Sequence, residues 1–323
     1  MKTDEDTLRH LRCVDSLGPD ARSPKLRTSE NQLMSQKAPL SVLVPVKNEA
    51  ANLRDCLASV AFAEEIVLID SGSADATAKI ATEFGAEVVQ FRWNGSFPRK
   101  KNWALENVRW RYEWVLIVDA DERVTPALQK QIRKAIERRD VDGFYLNRRY
   151  WFLAGWINHS GYFPSWNLRL FRHAKGRYER FETTPGADSG DNEVHEHVLL
   201  DGRAEYLSEP MEHYAFPDIA SFVEKHNRYS TWEAQVREQW RDRGERLSGN
   251  LLGTPIQRRR ALKLVTLRMP FRPTLRFFYH YVIRQGFRDG YRGWALSRLM
   301  AWYERLIALK AREIRRNARP LRS

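Results

Sequence analysis

The sequence contains little cysteine and no long apolar run. Cys13 and Cys56 are the only two cysteines in 323 residues, which excludes a disulfide framework and favours a reducing, cytosolic setting. No apolar stretch reaches the roughly 18 residues that a membrane-spanning helix needs. The first residues, Met1 to Thr7, are acidic rather than basic and then apolar, so we expect no secretory signal.

Two glycine-rich motifs that bind phosphate are also absent. No G-x-G-x-x-G follows the first predicted strand, which argues against a dehydrogenase-type dinucleotide fold. No G-x-x-x-x-G-K-[ST] occurs either, which argues against a Walker-type phosphate loop. We therefore expect neither of these two nucleotide-binding folds.

The net charge of +13 is concentrated in the C-terminal segment. Residues 251–323 contain 18 Lys and Arg against three acidic residues, a net charge of +15, so the other 250 residues sum to −2. A basic segment on a nearly neutral body requires an anionic partner, which can be a membrane surface, a nucleic acid or an acidic acceptor molecule.

Strand and helix patterns alternate from Leu40 onward, after residues 1–37, which we expect to form a disordered leader. The predicted strands are Leu40–Val46, Glu65–Ile69, Glu87–Phe91 and Trp114–Val118. The predicted helices are Ala50–Val60, Asp75–Phe84, Arg99–Arg111 and Pro126–Arg139. Four βα units in a row predict an α/β fold with a parallel sheet flanked by helices. Ligands of such sheets bind at the carboxyl ends of the strands.

The fourth predicted strand ends in a carboxylate pair, Asp119 and Asp121, within Asp119-Ala120-Asp121-Glu122. Like charges this close repel and raise each other's pKa unless a cation lies nearby. A hard divalent ion, Mg²⁺ or Mn²⁺, removes the repulsion and can also hold a diphosphate. The alternative is an acidic cap on the helix that follows.

The first two strands also end in polar residues suited to a nucleotide. Pro45-Val46-Lys47-Asn48-Glu49 ends the first strand, and Asp70-Ser71-Gly72-Ser73-Ala74-Asp75 ends the second. Asp75 is expected to cap the next helix. Asp70 follows a buried run and has no evident structural role.

Residues 143–245 are less regular and rich in aromatic side chains. The predicted strands Gly143–Trp151 and Leu168–Phe171 are joined by long loops, and a helix is predicted over Ile219–Arg241. Aromatic faces stack on sugar rings, so this half is interpreted as acceptor-binding. Ordinary core packing is the alternative for each ring.

Three basic helices are predicted in the last segment, near residues 259–268, 274–285 and 293–316. In the third helix an apolar stripe follows helical spacing, while the arginines lie largely elsewhere, which is the pattern of a basic amphipathic helix. The stripe consists of Leu296, Met300, Tyr303 and Ile307. Such a stripe can bind a membrane, or it can pack on the catalytic domain or on another subunit.

Three motifs in order resemble the nucleotide-binding half of family 2 glycosyltransferases, which have the GT-A fold. These motifs are Val44–Glu49, Ile69–Asp75 and Val118–Glu122, and the resemblance covers about residues 40 to 230. Within the family the chain is most similar to the bacterial lipopolysaccharide core β-glucosyltransferase group. The supporting segments are Leu168–Arg172, Val194–Glu196, Lys225–Ser230 and Gly286–Gly293.

The resemblance implies an inverting, metal-dependent enzyme that moves a hexose, glucose in that group, from a nucleoside diphosphate sugar to a lipid-linked saccharide such as lipopolysaccharide core. It implies a GT-A catalytic domain over residues 38–245, with a nucleotide-sugar half (38–142) and an acceptor half (143–245). Residues 246–323 would be a basic helical extension that associates with the membrane. The enzyme would be cytoplasmic and peripheral on the inner face of the cytoplasmic membrane.

The resemblance also implies a set of donor contacts. The expected residues are Pro45, Glu49, Asp70, Lys101 and Asp119. Asp70 would meet the base or the ribose, and Asp119 the ribose and the metal. Lys47 is an alternative to Lys101 as the source of positive charge at the phosphates, and either lysine can instead be a solvent-exposed surface residue.

Metal binding is expected at Asp121, with Asp119 beside it. A downstream histidine, His213, would complete the site, as one does in some GT-A enzymes, and a buried structural histidine is an equal alternative. Glu122 would support the turn without binding the ion.

The catalytic base is the position where this chain departs from the family. The family commonly uses the Asp of a Glu-Asp pair downstream of the metal motif, and no such pair occurs there. The sequence has Glu193-Val194-His195-Glu196 instead. We assign the base to Glu196, with Glu193 as second choice and His195 orienting a carboxylate or the acceptor. A zinc site is not favoured, because His195 and His197 lack a third ligand at a suitable spacing.

Two further functions compete with sugar transfer. Basic residues interleaved with aromatic residues would suit a nucleic-acid-binding protein with a degenerate enzyme body. A nucleotidyltransferase also pairs carboxylates on a metal, but the Gly-rich basic loop that usually follows its first strand is missing here.

Overall fold

The computed structural model of the chain describes residues 36–95, 98–179, 197–242 and 271–317. The strands in these ranges are β1 (Ala38–Val46), β2 (Ala63–Asp70), β3 (Glu87–Gln90), β4 (Trp114–Ile117), β5 (Glu122–Val124), β6 (Gly143–Trp151), β7 (Trp156–Ile157), β8 (Trp166–Arg172), β9 (Gly176–Tyr178), β10 (Val198–Leu200) and β11 (Ala204–His213). The α-helices are α1 (Ala50–Val60), α2 (Thr77–Glu83), α3 (Lys100–Asn107), α4 (Pro126–Ala135), α5 (Ile219–Asp242), α6 (Arg272–Phe278) and α7 (Gly290–Asn317). A π-helical turn (Tyr279–Ile283) and a 3₁₀ turn (Gly286–Asp289) connect α6 to α7.

Nine of these strands form one mixed sheet in the order β3-β2-β1-β4-β8-β6-β11-β5, with β7 paired to β6. Strands β3, β2, β1 and β4 are parallel. Strand β8 runs antiparallel to β4 and β6, and β11 runs parallel to β6 and antiparallel to β5. Strands β9 and β10 form a separate antiparallel pair. The sheet and its helices confirm the predicted α/β fold of the GT-A kind.

Helices cover both faces of the parallel half of the sheet. On one face Val44 of β1 belongs to a buried cluster with Leu53 of α1 and Leu128 of α4. On the other face Leu43 of β1 belongs to a second cluster with Leu105 of α3. Because β1 is buried on both faces, its sequence is a continuous apolar run rather than an alternation.

The loops that follow β1 and β2 are hydrogen-bonded to each other. The main-chain N–H of Asn48 donates to Ser73 Oγ at 2.8 Å, and the N–H of Ala74 donates to Asn48 Oδ1 at 2.8 Å. Asp75 accepts the N–H of Thr77, the first residue of α2, at 3.0 Å, but the N-cap position is Ala76 and not Asp75 as predicted, because the helix begins two residues later than expected. These bonds fix the polar ends of the first two strands as one unit.

The apolar stripe of α7 packs on the body of the protein. Leu296 and Met300 lie in a buried cluster with Phe152 and Phe222, and Ile307 packs with Ala234 of α5. Of the three interpretations of this stripe, packing on the catalytic domain is therefore the one the structure shows. Within the described ranges, none of the helices combines the length and the apolar character needed to cross a bilayer.

The 3₁₀ turn before α7 is fixed to the loop after β7. The buried carboxylate of Asp289 accepts the main-chain N–H groups of Asn158 at 3.1 Å and His159 at 2.9 Å. A Cβ atom at Gly293 would lie 1.9 Å from the carbonyl oxygen of Gly286, so only glycine fits there. The segment Gly286–Gly293 thus attaches the C-terminal helices to the sheet.

Candidate active site

The carboxylate turn lies between β4 and β5 and is hydrogen-bonded at both ends. The N–H of Asp119 donates to Glu122 Oε2 at 2.9 Å, and Glu122 is fully buried. Strand β5 pairs with β11 so that Glu122 lies opposite His213. The N–H of Tyr214 donates to the carbonyl oxygen of Asp121 at 2.8 Å. The sequence pattern had not predicted β5, and this short strand is what brings His213 to the turn.

Three cations from three elements surround the first part of the turn. Arg169 Nη2 of β8 lies 2.6 Å from Asp119 Oδ2 and 3.1 Å from Glu122 Oε1. Arg148 Nη1 of β6 lies 3.4 Å from Glu122 Oε1, and Lys101 Nζ of α3 lies 3.0 Å from Asp119 Oδ1. Burial alone would raise the pKa of Asp119, but Arg169 and Lys101 outweigh it and hold that pKa well below its ordinary value. Glu122 supports the turn in the way the sequence predicted.

Asp121 contacts a different set of groups. Its Oδ2 lies 3.3 Å from His213 Nε2 and 3.9 Å from Lys225 Nζ. Burial would raise the pKa of Asp121, but His213 and Lys225 lower it below its ordinary value. Burial would likewise lower the pKa of Lys225, and the charge of Asp121 raises it instead. The pKa of Glu49 is raised, first by burial and then by the nearby Asp121 charge.

Asp121 and His213 offer a divalent ion two converging ligand atoms. Among the described residues, no group of three or more His, Cys, Asp or Glu side chains could hold a metal. Mg²⁺ and Mn²⁺ sites often contain one or two carboxylates, with water and substrate phosphates as the other ligands, so Asp121 fits such an ion, whereas the imidazole of His213 is a less typical ligand for it. A metal-bound imidazole usually donates its second ring N–H, and His213 Nδ1 is buried without a partner in the described ranges. Asp121 is therefore the stronger ligand candidate.

Asp70 has a structural role that the sequence did not suggest. Its carboxylate is buried and accepts the N–H of Ser73 at 3.0 Å and the Ser73 hydroxyl at 2.5 Å. It also accepts the side-chain amide of Gln90 at 3.0 Å. The expectation that Asp70 lacks a structural role was therefore wrong, because it holds the loop after β2 in place. Its contact with a base or ribose stays a prediction.

The other predicted donor residues lie at the same edge of the sheet. Lys101 is buried against Asp119, whereas Lys47 is exposed, so Lys101 is the lysine that the fold brings to the site. Pro45 is buried in β1, opposite Ile69 of β2. The predicted base residues Glu193, Glu196 and their neighbour His195 lie outside the described residues and stay predictions.

Arg169, Arg148 and Lys225 belong to the site, but the sequence had not assigned them to it. A charge between two leucines of a strand, Leu168-Arg169-Leu170, is the signal that could have identified Arg169, because buried arginines are rare unless paired. Lys225 opens the Lys225–Ser230 motif and was noted without a role. Arg148 lies in β6, and no comparable feature of the sequence marks it as a site residue.

A surface pocket of about 560 Å³ adjoins the turn on the side of Tyr214. It is lined by Ala51, Asn52, Asp55, Arg123, Trp151, Tyr214 and Pro217. The rings of Trp151 and Tyr214 are 5.9 Å apart, and Trp156 contacts both at 4.8 and 5.6 Å. Asp55 is 81% exposed there. Aromatic faces beside exposed polar groups form a surface that can hold a sugar ring.

Replacing Arg169 by Met should lower the free energy of unfolding by about 3 kcal/mol, because two carboxylates lose their shared buried cation. Urea-induced unfolding measures this. The control is Arg54→Met, which breaks the exposed Arg54–Glu83 pair (2.6 Å) and should cost less than about 1 kcal/mol. Adding Glu122→Gln to Arg169→Met should recover part of the loss. Equal costs for the two arginine variants would contradict the role of Arg169.

Comparison with known proteins identifies a family and several relatives. Residues 41–190 match the model of the family described as glycosyl transferase family 2. The lipopolysaccharide core biosynthesis glycosyltransferase LpsC of Rhizobium meliloti is 30% identical over 213 residues, which cover 62% of this chain and 72% of the relative. An uncharacterized glycosyltransferase of Rickettsia bellii is 26% identical over 294 residues, covering 90% of this chain and 91% of that one.

Solved structures show a more distant likeness. The structure of S. aureus TarS 1-349 in complex with UDP-GlcNAc is 14% identical, covers 88% of this chain and 93% of that one, and has a TM-score of 0.45. The family match and the extent of the similarity to LpsC decide the assignment: this chain is a glycosyltransferase and belongs to glycosyltransferase family 2.

Proposed function

We propose that this enzyme moves a hexose, with glucose as the first candidate, from a nucleoside diphosphate sugar to a lipid-linked saccharide such as lipopolysaccharide core. Transfer proceeds with inversion and with a divalent Mg²⁺ or Mn²⁺ ion, at the inner face of the cytoplasmic membrane. The observation that carries the proposal is the pairing of Asp121 with His213 beside the cation-bound Asp119. Because the chain belongs to glycosyltransferase family 2, sugar transfer is preferred over the two alternatives, a nucleotidyltransferase and a nucleic-acid-binding protein.

The donor nucleotide would bind at the carboxyl ends of β1, β2 and β4, where ligands of parallel sheets bind. Pro45 lies near the end of β1, Glu49 lies just before α1, and Asp70 holds the loop that follows β2. Each carboxylate oxygen of Asp119 makes one contact with a cation, and since an oxygen has two lone pairs it can still accept a ribose hydroxyl. Lys101 brings positive charge to the same edge.

The divalent ion would be held by Asp121, with His213 and Asp119 beside it and the diphosphate completing its ligands. Such an ion acts as a Lewis acid that stabilises negative charge on the departing diphosphate. Lys225 lies 3.9 Å from Asp121 and keeps its positive charge, so it can contact the same phosphates. The carboxylate of Asp121 is ionised at neutral pH, as a ligand of Mg²⁺ must be.

Asp121→Asn should reduce metal-dependent transfer by on the order of 10²–10³-fold, because the anionic ligand is lost while the shape is kept. Release of nucleoside diphosphate from UDP-glucose and similar donors, with Mn²⁺ or Mg²⁺, measures the rate. Asp201→Asn is the matched control, since that aspartate is exposed in the turn before β11. Near-normal transfer by Asp121→Asn would exclude this metal assignment.

The general base is proposed to be Glu196, with Glu193 as second choice and His195 as the residue that orients it or the acceptor. Glu196→Gln should lower kcat by about 10²–10⁴-fold, because the acceptor hydroxyl then keeps its proton. The donor dissociation constant, measured by calorimetry, should change little. Glu193→Gln is the comparison, and a larger loss of kcat in that variant would move the base to Glu193.

The acceptor sugar is proposed to lie in the pocket formed by Trp151, Tyr214 and Asp55. The N–H of Tyr214 donates to the carbonyl oxygen of Asp121 at 2.8 Å, so one wall of this pocket is attached to the carboxylate turn. Asp55 and Asn52 can accept and donate hydrogen bonds to its hydroxyls.

Trp151→Ala should raise the KM for lipopolysaccharide with a truncated core by about 10-fold, because an apolar face is lost from the pocket. The KM for the nucleotide sugar should not change. Trp166→Ala is the control, since Trp166 is a partly exposed tryptophan of β8 that does not line the pocket. A change in donor KM alone would contradict an acceptor site here.

A further inference from the structure

Helix α6 and the π-helical turn after it expose their apolar side to solvent. None of the seven residues of α6 is fully buried. The exposed apolar residues are Phe271, Leu275, Phe278, Tyr279, Val282 and Ile283. Their spacing of i, i+4, i+7, i+8, i+11 and i+12 is that of a single helical face. In a helix that packs on a protein core, this face would point inward.

The charged side of α6 is the side that faces the protein. Arg272 Nε lies 3.0 Å from Glu304 Oε2 of α7, and Glu304 is buried. Arg237 of α5 lies 3.5 Å from the same oxygen. Turning the helix to bury its apolar face would break this ion pair and leave Glu304 short of a cation. The outward direction of the apolar face is therefore fixed by the fold.

The exposed face continues along the chain to Trp294. Phe277 contacts Tyr281 at 5.3 Å, Tyr281 contacts Phe287 at 6.3 Å, and Tyr291 stacks on Trp294 at 5.6 Å. Nine of the sixteen exposed large apolar residues in the described part of the chain lie between residues 271 and 294. Their exposed fractions run from 42% to 71%. Such a concentration marks an interaction surface rather than scattered exposed residues.

The charges around this surface select its partner. Residues 271–298 contain six arginines and one acid, Asp289, which is buried and bonded to Asn158 and His159. Arg284 and Arg288 are exposed beside the apolar residues. An apolar face with interfacial Tyr and Trp residues and uncompensated arginines fits a bilayer that carries anionic headgroups. A protein partner would have to supply matching acids around an apolar centre.

We propose that residues 271–294 form a membrane-binding surface that inserts aromatic and aliphatic side chains into the interface of an anionic bilayer, with Arg284 and Arg288 on lipid phosphates. The surface deepens the proposed peripheral attachment and does not depend on which sugar is moved. Asp289 attaches it to Asn158 and His159, which directly follow β7. Strand β7 pairs Trp156 with Trp151 of the acceptor pocket, so this surface and the pocket belong to one rigid unit.

Vesicle co-sedimentation of the full-length protein tests the proposal. The wild type should bind vesicles of phosphatidylcholine with 30% phosphatidylglycerol. The double variant Phe278→Glu/Ile283→Glu should bind them at least 10-fold more weakly, because apolar insertion is lost and like charge is added. The matched control is Leu199→Glu/Tyr206→Glu, which changes two equally exposed apolar residues outside the surface and should bind as the wild type does.

The arginines are tested separately with Arg284→Gln/Arg288→Gln. Each lost charge should weaken binding by about 5-fold, and the dependence of binding on salt should become shallower. Equal binding by the wild type and both surface variants would overturn the proposal. The proposal would also be overturned if the wild type did not bind vesicles but formed dimers, and the Phe278→Glu/Ile283→Glu variant were monomeric, as measured by light scattering.

Activity on a water-soluble acceptor separates this inference from the proposed function. Transfer to a deacylated core saccharide should be the same for the wild type and Phe278→Glu/Ile283→Glu, since these residues do not touch the site. If no variant transfers sugar but vesicle binding follows the expected order, the membrane surface stands and the proposed reaction fails.

Discussion

The arrangement of the site depends on the buried guanidinium of Arg169, which bridges Asp119 and Glu122. Three acids within four residues, one fully buried and two half-buried, could not otherwise all stay ionised, because their charges repel and burial favours the neutral form. With Arg169 and Lys101 in place, Asp119 stays ionised and the turn keeps one shape. Asp121 is then the acid of the turn whose contacts are a histidine and a distant lysine rather than fixed guanidinium groups. The protein neutralises one side of the turn and presents the other side for a ligand.

The parallel half of the fold could be predicted because its signals are local. Strand β1 and helix α1 are continuous runs whose apolar pattern decides both element type and burial. The contacts of the carboxylate turn could not be predicted in this way, because they come from distant segments. Strand β5 has three residues, Glu122-Arg123-Val124, which are too few and too polar to show a period. Arg169 and Arg148 reach the turn because β8 and β6 lie beside β4 in the sheet, and strand order is not encoded in any one segment.

Two apolar stripes of similar pattern have opposite positions in the C-terminal helices. The stripe of α7 packs on Phe152 and Phe222, while the stripe that begins at Phe271 faces solvent. Helical period tells which residues share a face but not what that face meets. The difference arises from Glu304, a single buried acid of α7 that attracts Arg272 and so turns the polar side of α6 inward. A charge far from the active site thereby determines which surface is left for a partner.

The C-terminal segment also has a structural role, because it is bonded to the loop that follows β7. Gly293 approaches the carbonyl of Gly286 too closely for any side chain, and Asp289 accepts hydrogen bonds from the main chain after β7. The proposed lipid-linked acceptor would have to be held by its lipid in the bilayer and by its sugar at the site. If the membrane-binding surface and the sugar pocket were joined by a flexible linker, each capture would cost ordering entropy. A surface bonded to the β6–β7 pair avoids that cost, which gives a physical reason for keeping the segment Gly286–Gly293 rigid.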